Sequence, residues 1–396
     1  MESLTIGRAR ATPQRARLIG KYSGDEPGPL VLFVAGIHGN EPSGVEALER
    51  LLAQLHASQP AFRGDIVALA GNLSALAAGQ RFIEKDLNRQ WDEERVLRLR
   101  ASGPEGLTAE DAEQAELIVA LEDALGGARG DVYFLDLHTT SAVSAPFLTI
   151  SDTLRTREFA LSFSLPLVLG LEERLHGALL EFFYARGFVA LGVESGQHDD
   201  PASVDCHEWV AWTALRAAGN LDASFRPAEL ARERLAAAAS GMSLAYEVLH
   251  RHGIQAEDRF TMKVGFDNFQ RVSAGEVVGH DRRGPVRTPI GGRLFLPLYQ
   301  KLGDDGFFIA REVRPVWLRL SAVLRRIGAD RFVSRLPGVQ PHPSEPDSYV
   351  VNRRVARWMV TELFHLLGFR RETGADGTTT FRRRNSTVAD GSEGAR

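Results

Sequence analysis

Six short apolar segments in the first half of the chain constrain its fold more than any other feature. They are continuously apolar rather than alternating, and amphipathic helical patterns separate several of them. A strand that is apolar on both sides has to be covered by helices on both faces, so the pattern predicts a buried sheet of the α/β class. The segments are LVLFVAG (30–36), GDIVALAG (64–71), DVYFLDLH (131–138), PFLTIS (146–151), LPLVLG (165–170) and GFVALGVE (187–194).

Helical patterns and a late change in composition give the expected domain organisation. Amphipathic helices are expected over 43–56, 108–125 and 174–186, and from about residue 255 short, glycine-punctuated β-like pieces replace the α/β pattern. A chain of 396 residues is long for one hydrophobic core, so two folded parts are expected. The expected order is an α/β domain over 1–226, a helical connection over 227–254, a smaller, mostly β domain over 255–345, a C-terminal helix (347–368) with a short strand over 346–382, and a disordered tail over 383–396.

Charge, apolar runs and cysteine content exclude several classes of protein. A formal net charge of −4 gives no electrostatic reason to expect nucleic acid or an anionic membrane as a partner, and no apolar run is long enough to span a bilayer. The single cysteine, Cys206, excludes an internal disulfide and a cysteine-built zinc site. The N-terminus lacks the apolar core of a secretory signal, so we expect a cytoplasmic protein, although a cleaved transit peptide would look somewhat similar.

Two strand ends have side chains that commonly bind metals. His38 and Glu41 lie three positions apart in GIHGNEP after the first strand, and His138 ends the third strand, two residues after Asp136. Ligands of open α/β sheets bind beyond the carboxyl ends of the strands, so these side chains should meet in one crevice. Two histidines and a carboxylate with one open position suit catalytic zinc, and Asp136 could orient an imidazole. Taken singly, each motif is more simply a polar turn or a satisfied core histidine.

Two further groups follow strands of the same expected sheet. Arg81, Asn88 and Arg89 lie close together in QRFIEKDLNRQW, where a guanidinium fork and an amide suit a carboxylate. A charged surface loop is the simpler alternative for this group. Glu194 in GVESG leaves an apolar strand toward the same crevice, which is where a general base would have to lie.

Taken in order, HGNE, RFIEKDLNR, DLH and VES resemble the motifs of the succinylglutamate desuccinylase and aspartoacylase family, a branch of the zinc carboxypeptidase-like hydrolases. The resemblance covers residues 30 to about 200 and extends more weakly into TPIGGRLFLPLYQKLGDDGFF. It implies a zinc carboxypeptidase-like mixed sheet with helices on both faces and a smaller C-terminal, mostly β domain. It also implies one zinc ion per chain, bound by His38, Glu41 and His138.

The resemblance implies roles for the remaining residues as well. Glu194 corresponds to the catalytic glutamate, Arg81 to the arginine that stabilises the transition state, and Asn88 with Arg89 to the pair that binds the substrate's carboxylate. The implied function of the 1–226 zinc hydrolase domain is to cleave the amide bond of an N-acylated amino acid or a related small carboxylate-bearing amide. A homo-oligomer is compatible with it. A zinc carboxypeptidase-type peptidase and a catalytically inactive binding protein of the same fold are the alternatives.

One departure from the family concerns the substrate pocket. Members that act on acylated aspartate have a tyrosine in the late segment that helps to bind substrate, and this chain has Phe307 and Phe308 in that region. The departure argues against aspartoacylase-type specificity. Tyr299 lies close by in the sequence.

A serine or cysteine hydrolase is the rival enzyme class. Ser195 lies in GVESG, which is not the G-x-S-x-G elbow, so we expect a loop residue. Cys206 has His207 as its direct neighbour, and adjacent side chains on a helix face different ways. We therefore expect a small helix side chain rather than a nucleophile. His198 and His207 could line the site or cap structure, and the second interpretation is favoured.

Overall fold

The computed structural model describes residues 15–101, 106–343, 347–352, 360–373 and 379–384. The strands of this part are β1 (Leu18–Ser23), β2 (Glu26–Ala35), β3 (Arg63–Ala70), β4 (Val132–Thr140), β5 (Phe147–Ile150), β6 (Leu167–Leu169), β7 (Val189–Gln197), β8 (Ala245–Gly253), β9 (Thr261–Met262), β10 (Arg271–Val272), β11 (Val277–Asp281), β12 (Gly284–Arg287), β13 (Gly292–Phe295), β14 (Asp305–Val313), β15 (Val339–Pro341), β16 (Ser348–Val351), β17 (Phe369–Thr373) and β18 (Thr379–Arg383). The α-helices are α1 (Ser43–Ser58), α2 (Leu73–Ala78), α3 (Glu93–Ala101), α4 (Ala109–Gly126), α5 (Leu154–Leu161), α6 (Leu179–Ala185), α7 (Ala202–Ala218), α8 (Arg226–Ala238), α9 (Pro315–Arg326) and α10 (Val360–Leu366).

One large mixed sheet organises the molecule. Its eleven strands run in the order β1-β3-β2-β4-β7-β5-β6-β8-β14-β13-β10. β3, β2, β4 and β7 are mutually parallel, so the loops that leave their carboxyl ends meet at one edge. β1 and β5 pair antiparallel to this block. A three-stranded sheet (β12-β11-β9) and a four-stranded sheet (β15-β16-β18-β17) complete the β structure that is described.

Consecutive residues of β2 point to opposite sides of the large sheet. Val31 and Phe33 pack in one apolar cluster with side chains from α1, α7 and α8. Leu30 and Leu32 pack in a second cluster with side chains from α4 and α6. Helices therefore cover both faces, which confirms the predicted mixed α/β architecture and explains why the strand is continuously apolar.

Most of the predicted elements of the first half are present. All six apolar segments form strands, and the helices predicted over 43–56 and 108–125 correspond to α1 and α4. Thr108 begins α4 with a capping box, as its side chain accepts from the backbone of Asp111 and the Asp111 side chain accepts in return. The helix predicted over 174–186 is shorter, because only Leu179–Ala185 is α-helical.

The predicted helical connection over 227–254 is wrong in its second half. Helix α8 ends at Ala238, and β8 follows over Ala245–Gly253 in the large sheet. There β8 pairs with β6 on one side and β14 on the other. Ala, Glu and Leu in this stretch favour a helix locally, but pairing along both edges satisfies the backbone and overrides that preference.

The region predicted as a separate, mostly β domain shares the large sheet. β10, β13 and β14 from the range 255–345 are strands of that sheet, and the same range contains helix α9. The sheet continues across the predicted boundary because β14 pairs with β8 over most of its length. The large sheet therefore crosses this predicted boundary. The division of the chain into domains itself stays a prediction.

The C-terminal predictions need two corrections. Ser348–Val351 is a strand rather than the start of a helix over 347–368, and α10 covers only Val360–Leu366. Arg383 ends β18 and Arg384 is buried, so these two residues are not part of a disordered tail. The rest of that tail, residues 385–396, lies outside the described residues, as do residues 1–14 and 353–359.

Within the described ranges, no helix is both long and apolar enough to cross a bilayer.

Candidate active site

The turn after β2 places His38 and Glu41 at the carboxyl end of the parallel strands. Both side chains are buried, and the Glu41 backbone N–H donates to the His38 carbonyl at 3.1 Å, which closes the turn. Gly39 lies against α2, since a Cβ there would be 2.0 Å from the carbonyl carbon of Ala75. A glycine is required at this position because of that close approach.

His38, Glu41 and His138 form a compact cluster of potential metal ligands. His38 Nδ1 lies 3.0 Å from Glu41 Oε1, and His138 Nδ1 lies 3.1 Å from Glu41 Oε2. One ligand atom from each of the three residues falls within 4.8 Å of the others. Two imidazole nitrogens and a carboxylate oxygen are donors that zinc accepts, so the residues fit a divalent metal.

The remaining nitrogen of each histidine is held by a carboxylate. His138 Nε2 lies 2.9 Å from Asp136 Oδ2, and His38 Nε2 lies 3.2 Å from Asp86 Oδ1. Metal-binding histidines usually have such a partner, which fixes the ring and its tautomer. Asp136 was expected in this position from the sequence. Asp86 was not, although it is part of the DLNR motif.

The acidic and basic side chains of the cluster shift each other's pKa values. Burial raises the pKa of Glu41, but His38 and His138 outweigh it and hold the pKa of this carboxyl well below its usual range. Burial lowers the pKa of His138, but Asp136 and Glu41 outweigh it and hold that pKa well above its usual range. The pocket therefore favours an ionised carboxylate beside a positive charge.

Glu194 lies next to this cluster because of the register between β4 and β7. Glu194 is the direct partner of His138 across these parallel strands, so the two side chains project from the same face. Its Oε2 is buried without a hydrogen-bond partner in the part of the chain that the structure describes. Burial raises the pKa of Glu194 well above its usual range, with Glu41 adding to the shift and His138 opposing it. This carboxyl group is suited to accept and return a proton.

Arg81 is oriented toward the cluster by Asp86. Its Nε and Nη2 donate to Asp86 Oδ2 at 3.1 and 2.9 Å, and its Nη1 lies 3.7 Å from Glu41 Oε1. The guanidinium is therefore fixed at two nitrogens, while the third is directed to the metal-ligand side. A cation held in this way suits a developing negative charge.

Asn88 and Arg89 follow Asp86 in the short 3₁₀ helix Leu87–Arg89. The Asn88 backbone N–H donates to Asp86 Oδ1 at 2.9 Å, which caps that helix. Asn88 Oδ1 accepts from Leu179 N at 2.7 Å, and its Nδ2 lies 3.3 Å from His138 Nε2. The amide of Asn88 therefore also positions the cluster.

Arg89 has a protein partner that sequence reasoning missed. Its Nη1 donates to the Asn88 carbonyl at 2.8 Å, and its Nη2 donates to Asp305 Oδ2 at 2.9 Å. Asp305 is also bonded by Arg251. A substrate carboxylate at Arg89 would therefore share the guanidinium with Asp305.

One cavity unites the predicted site residues. Its walls include His38, Glu41, Arg81, Asn88, Arg89, His138 and Glu194. Phe308 lines the cavity too, whereas Phe307 and Tyr299 pack together in a separate apolar cluster. His198 also lines it, so of the two interpretations of this histidine the less favoured one holds.

The residues of the rival hydrolase class are placed unfavourably for nucleophilic catalysis. Ser195 is buried within β7, so the expectation of a loop residue is wrong. Cys206 is buried, and burial raises the pKa of its thiol to about 12, so a thiolate is disfavoured. His207 Nδ1 lies 3.2 Å from Ser43 Oγ, and its Nε2 lies 3.1 Å from the His138 carbonyl oxygen. It therefore supports the strand end at the cluster of potential metal ligands, as expected of a structural residue.

Comparison with known proteins agrees with the motifs. The family model described as the succinylglutamate desuccinylase/aspartoacylase catalytic domain matches residues 27–198, a range that contains every predicted site residue. A succinylglutamate desuccinylase of Pseudomonas putida is 36% identical over 116 residues, which are 27% of this chain and 34% of that protein. The chain thus spans about a third of the length of the curated relatives that it matches.

Solved structures show the same fold. A succinylglutamate desuccinylase/aspartoacylase from Rhodobacter sphaeroides superposes with a TM-score of 0.55 at 19% identity, covering 75% of this chain and 88% of that one. The product-bound ectoine utilization protein EutE (DoeB) from Ruegeria pomeroyi superposes with a TM-score of 0.51 at 20% identity, covering 73% and 86%. At these identities the likeness shows the fold and no more.

Proposed function

We propose that this chain, whose residues 27–198 carry the catalytic domain of the succinylglutamate desuccinylase/aspartoacylase family, is a zinc-dependent deacylase that cleaves the amide bond of N-acylated amino acids. The observation that carries the proposal is the convergence of a His–Glu–His cluster, a buried carboxyl group and a fixed guanidinium on one cavity. That combination provides metal binding, proton transfer and charge stabilisation together. The same proposal includes that the fold is related to that of the zinc carboxypeptidases.

His38, Glu41 and His138 would hold the zinc ion. When bound, zinc would polarise an amide carbonyl and activate a water molecule. Asp86 and Asp136 accept from the opposite nitrogens of the two histidines and so present the Nδ1 atoms toward Glu41.

Glu194 would transfer the proton. Its unpartnered, buried oxygen can take a proton from the attacking water and later deliver it to the leaving amine. A raised pKa supports the second step, because a carboxyl group that holds its proton near neutral pH can act as an acid.

Arg81 and the Asn88–Arg89 pair would handle the charges of the substrate. Arg81, held by Asp86, would stabilise the negative charge that develops on the carbonyl oxygen. Arg89 would bind the substrate's carboxylate, and Asn88 would help to position the groups around it. The products would be a carboxylate and a free amine. The cytoplasmic location and the homo-oligomer expected from the sequence remain predictions.

Asp86→Asn is expected to weaken zinc binding by about 10- to 100-fold, the range typical of residues that orient a metal-binding histidine. Asparagine keeps the size of the side chain but removes the negative charge that faces His38 Nε2 and Arg81. The dissociation constant for zinc, measured by competition with a chelator, tests this expectation. Asp92→Asn, at an exposed helix start, is the matched control and should leave zinc affinity unchanged. An unchanged zinc affinity in Asp86→Asn would contradict the role given to Asp86.

Arg89→Ala is expected to lower kcat/KM for a carboxylate substrate at least about tenfold more than for the corresponding carboxamide, because a charge-assisted hydrogen bond is lost only with the former. The two substrates are compared on the same zinc-loaded preparation. Arg251→Ala is the matched control, since Arg251 also bonds Asp305 but does not line the cavity. Equal losses on both substrates would remove the carboxylate-binding role from Arg89.

Two outcomes would favour the alternative functions. Release of a C-terminal residue from peptides, with no hydrolysis of N-acyl amino acids, would indicate a carboxypeptidase-type peptidase. Zinc binding without any amide hydrolysis would indicate a binding protein of the same fold.

A further inference from the structure

Helix α9 has an apolar stripe on its solvent side. The stripe consists of four residues at spacings of four, three and four positions, which places them on one face of the helix and its C-terminal cap: Val316, Leu320, Val323 and Ile327. Their exposed fractions are 60%, 39%, 54% and 69%, and Trp317 beside them is 47% exposed. A cluster of large apolar side chains on a surface marks a site of contact with another apolar surface.

The opposite face of α9 fixes the helix to the rest of the molecule. Leu318 and Ser321 are buried, and Ser321 Oγ donates to the Leu366 carbonyl at 2.7 Å. Arg325 Nη2 donates to Asp152 Oδ2, on a buried carboxylate, at 2.7 Å. These inward residues are three and four positions apart, so the apolar stripe points away from the protein.

The contacts of this inner face continue to the wall of the active-site cavity. Arg325 Nη2 also donates to the His365 carbonyl at 2.7 Å, and His365 Nε2 lies 3.1 Å from Glu173 Oε1. Arg384 donates to Glu173 Oε1 at 2.8 Å and to Glu172 Oε1 at 3.0 Å, and Glu172 lines the cavity. A surface that binds the apolar stripe would therefore hold the cavity in a defined orientation.

Arginines flank the apolar stripe. Arg319 and Arg326 lie three positions after Val316 and Val323, so they form the next row on the helix surface, and both are exposed. Three more exposed arginines lie in the same stretch of sequence: Arg314, Arg331 and Arg335. Within the described ranges, none of these five arginines forms an ion pair with an acidic side chain. Their positive charge is therefore available to a partner.

The basic character extends over the C-terminal part of the sequence. Residues 314–384 include fourteen arginines and six acidic residues, a formal charge of +8, although the whole chain carries −4. The net charge, which gave no reason to expect an anionic membrane as a partner, therefore averages a basic part and an acidic part. A concentrated positive charge attracts an anionic surface, most strongly at low ionic strength.

An anionic lipid surface suits this combination better than a second copy of the chain or a nucleic acid. In a two-fold pairing of α9 with a second copy, the row of Arg319 and Arg326 would face its own counterpart, so like charges would meet. A nucleic acid offers phosphates to the arginines but no apolar surface to the aliphatic stripe. A bilayer offers both, and a tryptophan beside an apolar face suits the headgroup level.

We propose that α9 docks onto the surface of an anionic lipid bilayer. The apolar stripe enters the headgroup layer, and the row of Arg319 and Arg326 contacts lipid phosphates. The chain thereby binds a membrane peripherally, through one helix face. This inference goes beyond the proposed deacylase function and does not depend on it.

Co-sedimentation of the full chain with lipid vesicles tests the proposal. The vesicles consist of phosphatidylcholine with or without about 30% phosphatidylserine, at about 50 mM and about 500 mM salt. The wild type is expected to bind the phosphatidylserine vesicles at the lower salt. Binding should be at least about tenfold weaker to phosphatidylcholine alone, and likewise at the higher salt.

Two double variants separate the charged contribution from the apolar one. Arg319→Gln/Arg326→Gln should weaken binding to the phosphatidylserine vesicles about 30-fold, because each arginine near an anionic surface contributes roughly a factor of five. Val323→Ser/Ile327→Ser should weaken it at least about tenfold, because the stripe loses apolar area that would enter the bilayer. All four positions are exposed, so both variants should keep the wild-type thermal midpoint.

Matched controls remove exposed side chains of the same kinds elsewhere on the surface. Arg234→Gln/Arg283→Gln removes two exposed arginines outside α9, and Leu97→Ser/Val119→Ser removes two apolar side chains that are 53% and 58% exposed. Both controls should bind the phosphatidylserine vesicles as the wild type does.

Several results would overturn the proposal. One is a wild type that does not bind phosphatidylserine vesicles at the lower salt, and another is wild-type binding in either α9 variant. If Val323→Ser/Ile327→Ser does not fold, Leu320→Ser replaces it and should also weaken binding. A dimer in gel filtration that the apolar variant dissociates would show that the stripe binds a second copy instead.

Discussion

Replacing Glu194 with glutamine is expected to lower kcat at least about a hundredfold while leaving fold and zinc content intact. Glutamine keeps the size of the side chain and its hydrogen-bonding capacity but cannot accept the proton of the attacking water. Glu194 is the register partner of His138, and its Oε2 is buried with no hydrogen-bond partner in the described ranges, so the substitution changes chemistry more than packing. Zinc content, thermal midpoint and kcat are measured on one preparation.

Glu181→Gln is the matched control for this experiment. Glu181 lines the same cavity, but its Oε2 accepts from the Gly177 backbone at 3.1 Å, so it is engaged in holding the wall. The replacement of Glu181 should lower kcat far less than the replacement of Glu194 does. Near-normal turnover in Glu194→Gln would remove the proton-transfer role, and loss of zinc from that variant would show that Glu194 is a metal ligand.

His138→Ala is expected to lose stoichiometric zinc and to reduce hydrolysis to background. The substitution removes one of the three proposed ligand side chains, so the loss in zinc affinity should exceed the roughly 10- to 100-fold effect of removing an orienting carboxylate. It also leaves Asp136 and Glu41 without the imidazole that each contacts. Metal content after gel filtration, together with activity at added zinc, measures the effect.

His198→Ala provides the comparison for His138. His198 lines the cavity, and its Nδ1 lies 2.7 Å from Thr139 Oγ1, but it is not part of the cluster of potential ligands. The His198 variant should therefore keep one zinc per chain. A His138→Ala protein that retains one zinc per chain would show that the metal lies elsewhere.

The cluster at the carboxyl edge of the sheet was predictable from the sequence for a geometric reason. His38 and His138 follow apolar segments, and parallel strands bring such ends together whatever their separation along the chain. The pairing of His138 with Glu194 follows from the same arrangement once β4 and β7 are neighbours. Short motifs at strand ends were therefore sufficient to name these residues.

The partners of the site residues were not predictable in the same way. Asp305 lies 216 residues from Arg89, and Arg384 lies 212 residues from Glu172, so these ion pairs depend on how distant elements pack. Composition alone predicts a tail from residue 383 that is too poor in apolar residues to pack, although the structure buries Arg384 against two carboxylates. The strand β8 was missed because pairing on both edges overrode its local helical preference.

Removal and return of zinc test the proposed function most directly. The purified protein is treated exhaustively with a chelator, freed of it, and titrated with zinc while the hydrolysis of N-acyl amino acids is followed. The proposed function predicts that hydrolysis is lost on chelation and rises with added zinc to a plateau at one equivalent per chain. Full activity in protein shown to be free of metal would contradict it.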